Sequence, residues 1–218
     1  MKYEILKGDY KTFLHPHTGS PVRVFRIWYI KTFTWINPFT DQEIIIHADS
    51  PGGFIQSQVN LDHNDTSAIL NNAIVFGNAT LSNSILRDTS SVFDSSNVTD
   101  SEIFGAARIF GKTRANLCIF RDTCNVGGIL ELEKCYIANS ANIAGACKVT
   151  NTEMFNGSII RGQSTVNSCS LYDVSEISGV SNVKNMILRG NTLVKNSNVY
   201  KDEINLRVFT VDGDLFPR

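Results

Sequence analysis

The stretch Ser67-Ala-Ile-Leu-Asn-Asn-Ala-Ile-Val-Phe-Gly-Asn-Ala-Thr-Leu-Ser-Asn83 decides the fold, because its pattern recurs every 17 residues from Ser84 to about Val199. A fixed period near twenty residues is the signature of a solenoid. One column of the repeat is aliphatic and β-branched in every coil, and the columns six and eleven residues later are also apolar. The first column contains Val75, Val92, Ile109, Val126, Ile143, Ile160, Ile177 and Val194.

Each coil is predicted to contain three short strands. A small residue stands two positions before each large apolar one, such as Ala79 before Leu81, and residues two apart on a strand share a face. Gly, Asn and Asp recur between the strands, where tight corners need residues that tolerate positive φ; Gly111 and Gly145 are two of the positions expected to do so. The sequence therefore predicts an all-β fold, a single-stranded, three-sided β-helix of about eight 17-residue coils.

A helical protein and a β-sandwich do not explain this pattern. No helix-length window shows apolar residues at helical spacing, and hairpin turns between antiparallel strands do not keep a strict period. Two units, Val75–Thr80 and Ile143–Lys148, are similar to hexapeptide repeats, with an aliphatic residue at i and a small one at i+4. That pattern is typical of left-handed β-helices. The five-residue step between two of the columns departs from it, so a right-handed three-sided helix stays open.

The chain divides into three predicted regions: residues 1–52, the β-helix over residues 53–199, and residues 200–218. The first region is rich in aromatic residues, with predicted strands at Val22–Ile30 and Ile44–Ile46 and a turn at Ser50–Gly53. Because an open β edge invites pairing with another chain, we expect residues 1–52 to cap the first coil and a strand at Ile204–Val211 to cap the last. A ligand pocket between the N-terminal cap and the first coil is the alternative.

Composition excludes several classes of partner. The formal net charge is −1 and the pI is about 6.4, which gives no electrostatic reason to bind nucleic acid or an anionic membrane. No apolar run is long enough to span a bilayer, and Met1–Lys7 is too polar for a signal peptide. We therefore expect a cytoplasmic protein, with delivery into another cell left open.

One segment resembles a known family. Pro51-Gly-Gly-Phe-Ile-Gln-Ser-Gln-Val-Asn-Leu-Asp-His63, followed by Asn72-Ala-Ile-Val-Phe-Gly-Asn-Ala79, is similar to the YdcK-like proteins of bacteria and their phages, which have a Gly-Gly-Trp/Phe-Val/Ile-Glu-Ser-x-x-Asn-Leu-Ser-His segment. The resemblance implies a left-handed β-helix, related in fold to the hexapeptide acyltransferases, behind a short β-rich N-terminal part. It implies no activity. This chain lacks the Trp that usually follows the Asn-Leu-Ser-His segment in that family. Its coils have 17 residues where those of the family have 18, and its N-terminal part is longer.

The coils offer no catalytic residue. Hexapeptide acyltransferases use a His in or near a coil as general base, and β-helical carbonic anhydrases bind zinc through three His. All four His, however, precede Ser67, and the strict period leaves no residues for an extruded loop over substrate. We therefore predict no catalytic, cofactor-binding or metal-binding residue. The four are His15, His17, His47 and His63.

Three of those His, and the cysteines, have simpler interpretations. His15-Pro-His17 could hold a metal, but we favour a solvated surface loop, and for His63 we favour a role in stabilising a turn. The cysteines all fall in small inward columns, where we expect them to fill the core. They are Cys118, Cys124, Cys135, Cys147 and Cys169.

The remaining signal for function is an aromatic strip. Phe76, Phe93 and Phe110 follow the first inward column in three successive coils, and an exposed apolar strip usually marks an interaction surface. We favour coverage of this strip by the N-terminal aromatic segment, because the three Phe lie in the coils nearest to it. The edge after the third column carries aromatic residues less regularly, at Phe104, Phe155 and Tyr172.

The sequence favours a non-enzymatic module of bacterial or phage origin that binds a protein partner through the β-helix surface. The alternatives are an acyltransferase-like enzyme and a self-assembling scaffold, and a homo-oligomer is open in either case. A His beside a cleft between cap and coils would favour the enzyme. An uncapped terminal coil would favour the scaffold.

Overall fold

The computed structural model describes residues 1–116 except residue 39, and beyond them a series of strands that reaches residue 212 together with some of the corners between those strands. The described residues form strands, turns and one short 3₁₀ helix, Gln58–Asn60, with no α-helix among them. Within this part of the chain, none of the helical structure has the length and hydropathy needed to cross a membrane.

The N-terminal region forms two hairpins. β1 (Tyr3–Leu14) pairs antiparallel with β2 (Pro21–Tyr29), with an irregularity between Leu6 and Tyr10. β3 (Phe33–Ile36) pairs antiparallel with β4 (Glu43–Ile46). The predicted strands at Val22–Ile30 and Ile44–Ile46 are therefore confirmed.

The first face of the solenoid is a sheet of twelve strands. The hairpin of β1 and β2 forms its beginning, because β2 pairs antiparallel with β5, and β5 is the first strand of the parallel series. The series comprises β5 (Ser50–Ile55), β7 (Ile74–Val75), β10 (Ser91–Val92), β13 (Arg108–Ile109), β16 (Asn125–Val126), β19 (Asn142–Ile143), β22 (Ile159–Ile160), β25 (Ser175–Ser178), β28 (Asn191–Lys195) and β30 (Val208–Asp212).

The second and third faces are parallel sheets of eight strands each. The second comprises β8 (Thr80–Ser82), β11 (Asn97–Thr99), β14 (Thr113–Asn116), β17 (Leu130–Glu133), β20 (Lys148–Thr150), β23 (Thr165–Asn167), β26 (Asn182–Lys184) and β29 (Asn198–Tyr200). The third comprises β6 (Ala68–Ile69), β9 (Ile85–Leu86), β12 (Glu102–Ile103), β15 (Ile119–Phe120), β18 (Tyr136–Ile137), β21 (Glu153–Met154), β24 (Ser170–Leu171) and β27 (Ile187–Leu188).

The coils stack in a 17-residue register. Val92 aligns with Val75 on one side and Ile109 on the other, and the other two sheets keep the same offset. The predicted β-solenoid with 17-residue coils is therefore confirmed, while its left-handed sense stays a prediction.

The inward columns form the core as the repeat predicts. The large residues Val75, Leu81 and Leu86 of one coil are buried, and so are the small residues that precede them on the strands, such as Ala73 and Ser84. Ile143, Ile160 and Ile177 are buried further along the same column. The five predicted core cysteines lie outside the described residues.

All three corners use positive φ. In the corner after the first column, φ is 69° at Gly77, 63° at Asp94 and 83° at Gly111. The corner after the second column, where no glycine recurs, has φ of 46° at Asn83 and 49° at Asp100. The prediction for Gly145 is wrong, because the left-handed residue of that corner is Ala146, with φ of 57°.

The predicted turn at Ser50–Gly53 is wrong as well, because these residues belong to β5. A Cβ at Gly52 would lie 2.5 Å from Ile27 Cγ1, and one at Gly53 would lie 2.4 Å from Ile69 Cγ2. The two glycines therefore allow the first strand of the solenoid to pack closely against its neighbours. The boundary expected at residue 53 falls inside this strand.

The first coil carries a short insertion. Leu61 bridges to Leu81 and Ile69 pairs with Leu86, so eight residues separate two columns that are five apart in the next coil. The three additional residues lie in the loop between Leu61 and Ser67, beside the second sheet. The strict period excludes such a loop only within the later coils.

The N-terminal region completes the edge of the first coil. The Tyr29 hydroxyl donates to Ile69 O at 3.1 Å and accepts from Ile69 N–H at 2.8 Å, and the Tyr3 hydroxyl donates to Leu61 O at 2.7 Å. Lys2 Nζ donates to Ser67 O at 2.7 Å and forms an ion pair with Asp65. These side chains give backbone groups at the sheet edges the partners that a preceding coil would otherwise provide.

The second hairpin covers the outside of the third sheet. Trp35 is fully buried and its Nε1–H donates to Asn83 O at 2.9 Å. Asn37 Nδ2 donates to Glu102, a buried outward residue that also pairs with Arg87. The N-terminal region therefore covers the outer surface of the coils as well as their end.

The C-terminal strand predicted at Ile204–Val211 is present where the structure describes it, at residues 208–211, and residues 204–207 lie outside the described residues. β30 begins at Val208 and pairs in parallel with β28 at the same 17-residue offset, with Val211 beside Val194. It therefore extends the first sheet by one more strand in register.

Gly77→Ala tests the corner geometry. Its φ is positive, and a new Cβ would lie 2.9 Å from Asp94 O, so we expect the free energy of unfolding to fall by about 1–3 kcal/mol. Gly145→Ala is the matched control, because a Cβ there meets no atom of the described residues within 4 Å, and it should change stability by less than about 0.5 kcal/mol. Equal effects of the two substitutions in urea denaturation would show that the corners are misassigned.

Tyr29→Phe tests the edge closure. It leaves a buried N–H and C=O of Ile69 without the hydroxyl, which should cost about 1–3 kcal/mol of stability. Tyr10→Phe removes a hydroxyl from a side chain that is half exposed, and it should leave the melting temperature unchanged. A Tyr29→Phe protein as stable as the wild type would contradict the role of this hydroxyl.

Candidate functional site

The predicted aromatic strip is present, but the first hairpin covers most of it. Phe76 and Phe93 are each only 2% exposed, and Phe110 is half-buried. Phe76 and Phe93 stack with ring centroids 4.8 Å apart, and Phe110 continues the stack at 5.4 Å. The favoured coverage of this strip by the N-terminal segment is therefore confirmed for Phe76 and Phe93, and the alternative of an exposed partner surface does not hold for these two rings.

The tip of the first hairpin provides this cover. The Phe13 ring meets Phe76 edge-on at 5.2 Å, His15 contacts Phe76 and Phe93, and His17 contacts Phe110 at 4.7 Å. Edge-on contacts of this kind stabilise aromatic clusters beyond the area that they bury. The loop between β1 and β2 is therefore part of the outer surface of the solenoid.

Two histidines fasten the tip to a corner of the coils. His15 Nε2 lies 2.9 Å from Asp94 Oδ1, and His17 Nδ1 lies 3.1 Å from Asp94 Oδ2. Asp94 Oδ2 also accepts the Gly111 N–H at 3.1 Å. We call His15, His17 and Asp94 the histidine latch. The expected solvated surface loop is wrong for His15, whose side chain is 12% exposed, while His17 is 44% exposed.

The histidine latch also has the composition of a metal site. Its ligand atoms lie within 4.8 Å of one another, and imidazole and carboxylate groups bind divalent transition metals. A ligating His, however, coordinates through an unprotonated nitrogen and donates its other ring N–H. His15 Nδ1 accepts the backbone N–H groups of His17, at 3.2 Å, and Thr18, at 3.4 Å, so the proton must be on Nε2, which faces Asp94. We therefore interpret the cluster as a charge-assisted hydrogen-bonded fastening.

A groove opens beside the covered strip. It has a volume of about 270 Å³ between the hairpin tip and the first sheet. Phe76 and Phe93 contribute to its floor, Leu14 and Pro16 form one wall, and Arg108 lies on the coil side. Leu14, the last residue of β1, is 68% exposed although the latch holds the loop that follows it. The groove is therefore a recess in which six of the nine described lining residues are apolar, two carry hydroxyl groups and one is cationic.

A larger cleft of about 490 Å³ lies between the insertion in the first coil and the second sheet. His63 lines it, as the enzyme alternative requires, but neither ring nitrogen is available. Nδ1 accepts the Lys2 backbone N–H at 3.4 Å, and Nε2 is buried with no hydrogen-bond partner among the described residues. The His63 ring stacks on Tyr3 at 4.1 Å, so it packs in the cap, and it does not act as the turn-stabilising residue that was expected.

The ionisable groups around this cleft are largely engaged with one another. Burial raises the pKa of Asp65, but hydrogen bonds from Lys2, Ser67 and Asn83 outweigh that effect and hold the pKa below its usual value. Burial lowers the pKa of His63, as do the nearby N-terminal amino group and Lys2, so the charged form of the ring is disfavoured. Burial likewise raises the pKa of Tyr3 to about 12. The ionisable groups in the cleft wall therefore serve mainly to hold the cap and the first coil together, and they are not free to act in catalysis.

The second set of predicted binding residues is only partly described. Phe104 is half-buried beneath the Arg87 guanidinium, which lies 4.6 Å from the ring centroid. Phe155 and Tyr172 lie outside the described residues.

Sequence reasoning missed Asp94, Leu14 and Arg108. Asp94 looked like an ordinary corner residue, and Leu14 stood next to His15 without any signal that it would be exposed.

The comparisons with known proteins leave the family open. No family model matches the chain, and no match was found among curated proteins. The similarity to YdcK-like proteins therefore stays a prediction.

Asp94→Ala tests the histidine latch, with Asp88→Ala as its matched control. Both aspartates have φ of 63°, and each accepts a glycine N–H of the next coil at 3.1 Å, but only Asp94 binds the hairpin. Asp94→Ala should therefore increase hydrogen exchange at the amides of His17 and Thr18 by at least tenfold, while Asp88→Ala should not. Equal protection of the loop in the two variants would contradict the latch.

Proposed function

We propose that this chain is a protein-binding module that recognises its partner at the groove between the first hairpin and the coils. The observation that carries this proposal is the exposed Leu14, which stands at the rim of the groove, at the end of β1, next to the loop that the histidine latch holds. A single exposed apolar side chain is ordinary on a protein surface, but one at the rim of a pre-formed recess lined largely by apolar residues has the usual form of a recognition site. We further propose that the protein is a cytoplasmic, YdcK-like protein of bacterial or phage origin.

The larger cleft supports the enzyme alternative less well. Its His63 has one nitrogen occupied and the other buried, and Asp62 and Asp65 make its wall acidic. Acyl-CoA carries several phosphates, so its binding would require cationic side chains. Among the residues that the structure describes around this cleft, Lys2 already donates hydrogen bonds to Asp65 and Ser67, so it is not available to a phosphate.

The scaffold alternative is also less well supported at the described end. The edge of the first coil is satisfied by Tyr3, Tyr29 and Lys2, and the outermost strand, β1, carries lysines at Lys7 and Lys11 and an irregular segment. Charged side chains and irregularities are the usual protection of an edge strand against end-to-end pairing. Binding of a distinct protein therefore explains the surface better than self-assembly does.

The test is paired affinity purification from the native host with the wild type, Leu14→Asp and Ile45→Asp as baits. Ile45 is 53% exposed on the second hairpin and serves as the control. A candidate partner is then purified and titrated against all three proteins by calorimetry. We expect Leu14→Asp to weaken binding at least tenfold and Ile45→Asp to leave it unchanged. Full affinity of the Leu14→Asp variant, or the absence of any partner that binds directly, would overturn the proposal.

A further inference from the structure

We infer that the partner inserts a large apolar side chain that is adjacent, in its own sequence, to an aspartate or glutamate. This inference rests on the proposed function and adds the chemistry of the bound segment. It follows from the combination of an apolar floor and a single guanidinium at the same groove.

The apolar part of the groove selects the side chain. Ile74 and Phe76 line the groove from the coils and Leu14 lines it from the hairpin, so an entering aliphatic or aromatic group would meet carbon on both sides. The volume of about 270 Å³ is below the range of roughly 300–1,000 Å³ that is usual for small-molecule pockets. A recess of this size suits one or two side chains presented by a larger partner.

Arg108 selects the charge. It is exposed, it lies on the groove wall, and among the described residues it has no ion pair. It is also the one charged side chain among the described residues that line the groove. The nearby carboxylate of Asp94 is occupied by His15, His17 and Gly111 N–H. The planar guanidinium is therefore available to a carboxylate from outside, which it can bind through two parallel N–H···O bonds.

Hydroxyl groups complete the polar side. Ser91 precedes Arg108 in the same outward column and lines the groove with it. The Thr89 hydroxyl is already bonded to Gly105 O at 3.1 Å. A carboxylate bound at Arg108 could therefore accept a further hydrogen bond from Ser91, while the apolar side chain beside it enters the recess.

The test pans a random peptide phage library against the full-length wild type and counter-selects on Leu14→Asp. Peptides that depend on Leu14 are synthesised with a fluorescent label and titrated by polarisation against the wild type, Arg108→Glu and Lys112→Glu. Lys112 is exposed in the neighbouring corner, outside the groove lining, and is the matched control. Decanoate is titrated as a competitor, because a fatty acid is also an apolar anion.

We expect the selected peptides to share an acidic residue next to a large apolar one. The Arg108→Glu variant should bind these peptides at least fivefold more weakly than the wild type does, whereas the Lys112→Glu variant should bind them equally well. Replacement of the acidic residue of a peptide by Lys should restore its binding to the Arg108→Glu variant. Peptides that depend on Leu14 but lack an acidic residue and bind Arg108→Glu equally well would overturn this inference and leave the proposed function standing. The absence of any Leu14-dependent peptide would contradict both. Saturable decanoate binding that excludes the peptides would assign the groove to a lipid and overturn the inference.

Discussion

The hydrogen-bond ladder between successive coils is the constraint on which the rest of the structure depends. Ile74 N–H donates to Ser90 O and Phe76 N–H to Val92 O, so a residue in one coil fixes the position of its equivalent in the next. An outward residue type that recurs in the repeat must therefore form a column at strand spacing, about 4.8 Å. The stacking of Phe76 on Phe93 at 4.8 Å is a direct consequence. The register therefore creates the aromatic strip, and the first hairpin covers it.

The N-terminal region is organised by two requirements of the solenoid. The hydroxyl groups of Tyr3 and Tyr29 and the ammonium group of Lys2 bond to the free backbone groups at the edge of the first coil. The two hairpins cover side chains on two outer faces of the solenoid. The first hairpin covers the aromatic strip and is held by Asp94, while the second buries Trp35 against the third sheet. Both roles depend on tertiary contacts, so these residues act as an integral part of the coils. The groove exists because the first hairpin covers the strip without filling all the space beside it.

The sequence was sufficient to predict the solenoid, because a 17-residue period aligns neighbouring coils without any knowledge of distant contacts. It was not sufficient for the latch, because His17 and Asp94 are separated by 77 residues and neither belongs to a recognisable motif. Gly52 and Gly53 resembled a turn, since glycine permits both a tight turn and a close approach, and only the position of Ile27 and Ile69 distinguishes the two. Likewise, Leu14 continues the apolar alternation of a strand, and its exposure depends on where the loop docks.

The most direct test of this account is a double-mutant cycle between His15 and Asp94, with His15→Ala, Asp94→Ala and the double variant compared by urea denaturation. If the latch fastens the hairpin tip to the coils, the two residues should show a coupling energy of about 1 kcal/mol or more in the free energy of unfolding. Additive effects, with no coupling beyond experimental error, would show that the tip is not held by this contact and would contradict the fixed groove on which the proposed recognition depends.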